Sequence, residues 1–207
     1  MDADTAWRHT HEQRRELARL LARLSDEEWA TPSTCPGWTV RDVAAHVISV
    51  PQMTWGPFLR ACVRGGFWVP RVGLLEGRRR GRAEVADILE QYERFDGSRV
   101  TTPFTAHLEP LIDVLVHVQD VVRPLGRSHD LPPDAAAAAA TRALQMGVFF
   151  GRPRLKGVRL VATDVDWSHG AGPAVRAPMQ ELLLLATGRA ADAALVEGDG
   201  RERVRLA

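Results

Sequence analysis

The sequence predicts a mainly α protein: a helical bundle over residues 1–150, with a small α/β segment over 151–207 packed on it. Three observations carry this. Apolar residues recur at helical spacing in separate stretches, at Leu17, Leu20, Leu21 and Leu24, at Val40, Val43, Val47 and Val50, and at Leu111, Leu115, Val118 and Val122. The alanine run 135–140 has high helix propensity and permits close helix approach. After Phe150-Gly151 the texture changes to β-branched, partly alternating residues over 158–167.

Taken in order, residues 5–24 make the first helix, with His9 and His11 expected on its surface and His9 a ligand candidate only if the helix start faces a site. Asp26 to Trp29 form a short turn whose tryptophan covers the end of the core. Residues 31–38 read as a loop from their Pro, Gly and Ser content. Thr39 is the expected N-cap of the next helix, with Asp42 closing a variant capping box. Its valines face the core, and so should His46, which lies between Val43 and Val50 at spacings of three and four. Over 51–81, Trp55, Phe58, Leu59, Val63, Phe67 and Trp68 read as helical core or pocket wall, interrupted at Gly65-Gly66. Arg78-Arg79-Arg80 reads as a solvated loop. Residues 82–98 form an amphipathic helix stopped near Gly97. The helix around Asp113 follows, then one opened by Pro132-Pro133 and running to about Val148. Beyond it come a strand over 158–167, a glycine-rich turn over 168–173 and a strand over 174–177. A helix opened by Pro178 and stopped by Gly188 precedes a last strand over 204–206.

The composition excludes several classes of function. Apolar residues make up 45% and charged residues 26% of the 207, the balance of a globular protein. A net charge of +1 offers no overall field for nucleic acid or an acidic membrane. No apolar run reaches the roughly 20 residues that a membrane span needs. The acidic N-terminus lacks an apolar signal core, so the cytoplasm is the expected compartment. Cys35 and Cys62 form neither a CxxC pair nor a disulfide framework. The preponderance of Arg over Lys, with abundant Ala, hints at a high-GC bacterial genome.

The chemistry concentrates in 111–120. Asp113 and His117 are four residues apart, so a helix puts both on one face, one turn apart. A carboxylate and an imidazole so placed can share a divalent metal, and His46 is the best candidate for a third ligand. The opposing reading is an ordinary helix whose solvated face carries Glu109, Asp113, His117 and Asp120. The apolar arc is wider than a surface helix needs, however, and the polar strip consists almost wholly of ligand-type residues. Asp120 is either a carboxylate that orients a ligand histidine or a solvated residue. Trp38, Trp55 and Phe58 are the apolar supply for a cleft beside the site, and Arg123 is a candidate cation at its rim. His107 and His129 are expected at the surface. A Ser168–His169 catalytic pair is disfavoured, since adjacent residues rarely form such a relay and no third group orients them.

Two segments carry a family resemblance. Thr34-Cys35-Pro36-Gly37-Trp38-Thr39-Val40-Arg41-Asp42-Val43-Ala44-Ala45-His46 resembles the N-terminal signature of the mycothiol-dependent maleylpyruvate isomerase family, among the DinB-like four-helix metalloproteins of actinobacteria. Val116-His117-Val118-Gln119-Asp120-Val121-Val122-Arg123-Pro124-Leu125-Gly126 resembles its second signature, and the block from Asp164 to Arg189 is similar to the short tail of uncharacterised members. The resemblance implies a DinB-like four-helix bundle with a two-histidine, one-carboxylate site at His46, Asp113 and His117. The acid here is Asp, one methylene shorter than the Glu of the characterised pattern. A divalent metal, Zn²⁺ by its donor set, and mycothiol as cosubstrate follow from the same resemblance. So does an enzyme that adds or transfers the thiol to a small electrophile, or isomerises one. The competing expectation is a DinB-like metal- or small-ligand-binding protein without turnover. Small molecules, not nucleic acid or membrane, are the expected partners, and a homodimer is left open.

Overall fold

The computed structural model describes residues 1–147 and 155–207. The described chain is mainly α, with one small sheet near the C-terminus. Its internal packing separates it into two compact units, residues 2–129 and 130–207, Met1 grouping with the latter. The boundary expected at 150 and the helix end expected near Val148 lie outside the described residues.

In the first unit, α1 spans Ala3–Leu21 and begins where the Asp2 carboxylate accepts the Thr5 N–H. A five-residue helix, α2 (Asp26–Ala30), stands where the sequence suggested only a turn, because Ser25 and Glu28 close a capping box around its start. The expected Thr39–Asp42 box is present and starts α3 (Val40–Val47). Next come α4 (Trp55–Gly65), α5 (Val69–Arg80), α6 (Val85–Arg94) and α7 (Leu108–Val122). The core joins Leu17 and Leu21 of α1, Val40, Val43 and Val47 of α3, Ile88 and Tyr92 of α6, and Val114, Val118 and Val121 of α7, with Trp29 against its edge.

Helix α7 is the axis of this unit. Every residue from Pro110 to Val122 except Asp113 is buried. This removes the alternative of an ordinary solvated face, since both α1 and α3 pack against α7.

Three other expectations for this unit need correction. Trp55, Leu59, Val63, Phe67 and Trp68 are not core: each is 52–70% exposed. The inward face of α4 is made instead by Ala61 and Gly65, small enough to let α5 approach. Arg78-Arg79-Arg80 is not a loop but the last turn of α5, where Arg79 and Arg80, with Arg64, grip the buried Glu76 carboxylate. His9 is buried, and His11 stacks on Trp7 at 5.6 Å with its Nε2 3.2 Å from the Ser98 carbonyl. His129 is likewise engaged, 2.8 Å from Gln13 Oε1.

In the second unit, α8 (Pro133–Gln145) packs on α9 (Met179–Ala186). The sheet has the order β2-β1-β3. Strand β1 (Arg159–Ala162) is central. β2 (Ser168–Gly170) pairs with it antiparallel, Leu160 opposite His169, and β3 (Ala174–Ala177) pairs parallel, Leu160 opposite Val175. The predicted glycine-rich turn is therefore partly an edge strand, its backbone pairing with β1. Pro178 is the residue before α9, not its first residue. The strand expected over 204–206 does not form: a 3-10 turn at Arg201–Arg203 precedes it, and an isolated bridge joins Leu206 to Ala191. Ser168 and His169 are both exposed, and their side chains leave the strand on opposite faces, so no relay forms between them.

Candidate metal centre

Helices α3 and α7 bring three ligand-type side chains together. His46 Nε2 lies 3.1 Å from Asp113 Oδ1, and His117 Nε2 lies 3.6 Å from the same oxygen. One ligand atom from each of the three residues lies within 4.8 Å of the others. The two imidazoles meet edge to face, ring centres 5.0 Å apart. His46 reaches this point because the Thr39–Asp42 box fixes where α3 starts, and two turns later position 46 faces α7.

Asp120 is fully buried, so of its two sequence readings the solvated one fails. Its Oδ2 lies 2.8 Å from His117 Nδ1, and its Oδ1 accepts the Thr34 hydroxyl at 2.5 Å. A carboxylate only accepts, so the His117 proton sits on Nδ1. Nε2 is thereby left as the nitrogen turned toward Asp113 with a lone pair available. The Thr34 N–H also donates to the Asp120 carbonyl at 3.3 Å, which ties the 31–38 loop to α7.

Trp38, at the end of that loop, covers both histidines, its ring 4.8 Å from His46 and 5.7 Å from His117. Its indole N–H donates to the Leu74 carbonyl at 3.2 Å. Gly77 makes this seat possible, since a β-carbon there would overlap the indole. Trp55 and Phe58 behave differently. They meet each other and Phe104 edge to face, and Trp55 is 58% exposed. Arg123 donates its Nε to Gln119 Oε1 at the end of α7. A cavity of about 610 Å³ lies between α1 and α6, lined by Arg14, Ile48, Leu89, Tyr92 and Phe95 rather than by the three ligand-type residues.

The donor set fits a divalent cation. Asp113 Oδ2 is buried with no hydrogen-bond partner, so half of this carboxylate is desolvated without compensation from the protein. Burial pushes the Asp113 carboxyl up, but His46 and His117 in their protonated form, the His46 hydrogen bond and the Arg14 charge outweigh it and hold the carboxyl below its ordinary range. One carboxylate and two imidazoles, one of them held by a second carboxylate, are a donor set that suits a divalent cation with an open position.

Sequence reasoning missed Arg14. It is 4% exposed, and its three guanidinium nitrogens lie buried without a hydrogen-bond partner. Burial lowers its proton affinity, while Asp113 and Tyr92 raise it. The signal was available: Arg14 stands three and seven residues before Leu17 and Leu21, on the buried stripe of α1. Thr34 was also missed, since a threonine in a polar loop carries no local mark of a partner on α7.

Residues 10–148 match the family described as mycothiol maleylpyruvate isomerase N-terminal domain. The chain belongs to that family. Two crystal structures share its fold: the mycothiol-dependent maleylpyruvate isomerase, at a TM-score of 0.66, and a histidine-to-alanine mutant of it, at 0.65. Each is 14% identical to this chain, and each match covers 96% of this chain and 93% of the other. No curated protein sequence matches significantly. The DinB-like fold expected from the two signatures is therefore present. Among the described residues no helix is long and apolar enough to cross a membrane.

Proposed function

We propose that this protein is a divalent-metal-dependent, mycothiol-using enzyme that adds or transfers the thiol to a small electrophile, or isomerises one. The observation that carries this reading is the convergence of the His46 and His117 imidazoles on Asp113 Oδ1, while Oδ2 of the same carboxylate is buried with no hydrogen-bond partner. Membership of the family supports mycothiol as that thiol. These three residues would hold the ion, Zn²⁺ by their chemistry. Once bound, it lowers the pKa of a thiol so that thiolate is present at neutral pH.

The remaining roles belong to the chain. Asp120 holds the Nδ1 proton of His117 and so keeps Nε2 basic and aimed inward. Thr34 fixes Asp120 in turn. Trp38 shields one side of both imidazoles from water, which strengthens electrostatic interactions at the site. Arg123 is our candidate to meet a polar group of the thiol at the C-terminal end of α7. The cytoplasm, where such a thiol is held reduced, is the proposed compartment.

Metal analysis of the purified protein, followed by calorimetric titration of the zinc-loaded form with mycothiol, tests the proposal. Stoichiometric zinc, and thiol binding lost in His46→Ala, are the expected results. Thiol binding that survives His46→Ala argues against direct contact between ion and thiolate. No binding to the zinc-loaded wild type favours a metal- or small-ligand-binding protein without turnover.

A further inference from the structure

Helix α4 is amphipathic with its apolar stripe turned outward. Trp55, Leu59 and Val63, spaced four apart, are 58%, 52% and 67% exposed, while Ala61 and Gly65 face inward. The stripe continues over the α4–α5 turn through Phe67, Trp68 and Val69, at 70%, 68% and 55%. Phe104, 84% exposed, joins it through ring contacts with Trp55 and Phe58 at 5.1 and 6.0 Å. At 150–250 Å² per aromatic side chain, the rings alone present on the order of 400–700 Å² of apolar surface, and the aliphatic residues add to it. That exceeds what an ordinary monomer leaves open without a use.

Backbone conformation marks the same patch. Among the described residues, the non-glycine residues with positive φ are Phe67 at 60° and Phe104 at 66°. A bulky side chain is disfavoured there. Both strained positions thus hold a phenylalanine out into solvent, where asparagine or glycine would fit the backbone better. Folding gains little from rings left 70% and 84% exposed, Phe104 making only edge contacts with Trp55 and Phe58, whereas a surface that buries the rings from outside gains from both.

Charge decides among occupants. Between Asp42 and Glu76 the chain has no acidic residue. Arg60, Arg64 and Arg71 are exposed in that interval, and Glu76 is buried among arginines. The net charge of +1 hides this local asymmetry. A second copy of the chain would set arginines against arginines. An anionic surface that accepts indole and phenyl rings at headgroup depth complements both the rings and the arginines, whose stems lie along apolar surface while their heads stay in water.

We infer that the α4–α5 hairpin, with Phe104, is a docking surface for an anionic lipid bilayer. Full-length protein floated with vesicles of phosphatidylglycerol and phosphatidylcholine should bind about tenfold or more tightly than with phosphatidylcholine alone. High salt should erase the difference. Arg60→Glu combined with Arg71→Glu should abolish the selectivity. Phe67→Asn is the sharper variant, because Asn suits the left-handed backbone. Its Tm should equal or exceed that of the wild type, while vesicle binding falls roughly fivefold or more. Absence of binding to anionic vesicles would overturn the inference, as would binding that neither variant weakens. Concentration-dependent dimerisation lost in Phe67→Asn, without vesicle binding, would assign the face to a second copy instead.

Discussion

Replacing Asp120 by Asn tests the metal centre without touching a proposed ligand. Both Asp120 oxygens accept: Oδ1 from Thr34 at 2.5 Å and Oδ2 from His117 Nδ1 at 2.8 Å. Asn is nearly isosteric but offers one acceptor and one donor. If its NH₂ faces Thr34, the hydroxyl must reverse and find a new acceptor in a buried place. If it faces His117, Nδ1 must become the acceptor, and the proton moves to Nε2, the nitrogen needed for the ion. Either arrangement loses a charge-assisted hydrogen bond at a residue with no solvent access. Replacing a carboxylate that supports a ligand histidine weakens metal binding by about 10–100-fold, or roughly 1.4–2.7 kcal/mol. We expect that loss for zinc in competition with a chromophoric chelator. The Thr34 N–H bond to the Asp120 carbonyl persists in the variant and keeps the loop attached. Thr34→Val should weaken zinc less than Asp120→Asn, because His117 keeps its carboxylate. His117→Ala sets the scale for losing a ligand. Unchanged zinc affinity in Asp120→Asn would refute the argument, as would an equal loss in Thr34→Val, which points to the loop rather than the imidazole.

Asp113→Glu should retain zinc if the shorter acid is only a truncated ligand, as read by metal content after dialysis. Complete loss would mean that the α7 backbone has adjusted to Asp. Glu76→Gln removes the negative charge and one of the two oxygens that accept from Arg64, Arg79 and Arg80. Burial alone would raise the Glu76 carboxyl, but its arginine hydrogen bonds hold it down at about 2, against 4.5 for the free group. A depressed carboxyl stabilises the fold above the unfolded value and loses that contribution as pH falls from about 4.5 to about 2. The shift corresponds to roughly 3.4 kcal/mol, which solvent screening of the half-exposed Arg64 and Arg79 reduces to about 2 kcal/mol. Glu76→Gln should therefore lower the Tm by roughly 4–8 °C at pH 7. Its Tm deficit should shrink toward zero as the pH approaches 2, and a deficit independent of pH would contradict the assignment. Gly77→Ala should destabilise by about 1–3 kcal/mol by displacing Trp38. Altered near-UV ellipticity and weaker zinc binding should accompany it, and a neutral effect on both would show that Trp38 is not seated on α5 as described.

Local sequence determined a good deal of this protein. The Thr39–Asp42 box set the start of α3 and therefore the direction of His46. The four-residue interval from Asp113 to His117 put both on one face of α7. These inferences hold because capping and helical periodicity depend on residues within one or two turns. What covers each face was not local. The strip bearing Asp113, His117 and Asp120 had the pattern of a solvated surface, and only packing by α1, α3 and the 31–38 loop buried it. The same packing buried Arg14, a residue that the sequence did not single out, within electrostatic reach of Asp113. On α4 the error ran the other way. An apolar stripe read as core or pocket wall stayed in solvent, because Ala61 and Gly65 allowed α5 to pack on the opposite side. A sequence states which residues share a face; which face meets another element depends on the volumes and chain directions of partners far away in the chain, and that only the tertiary structure decided.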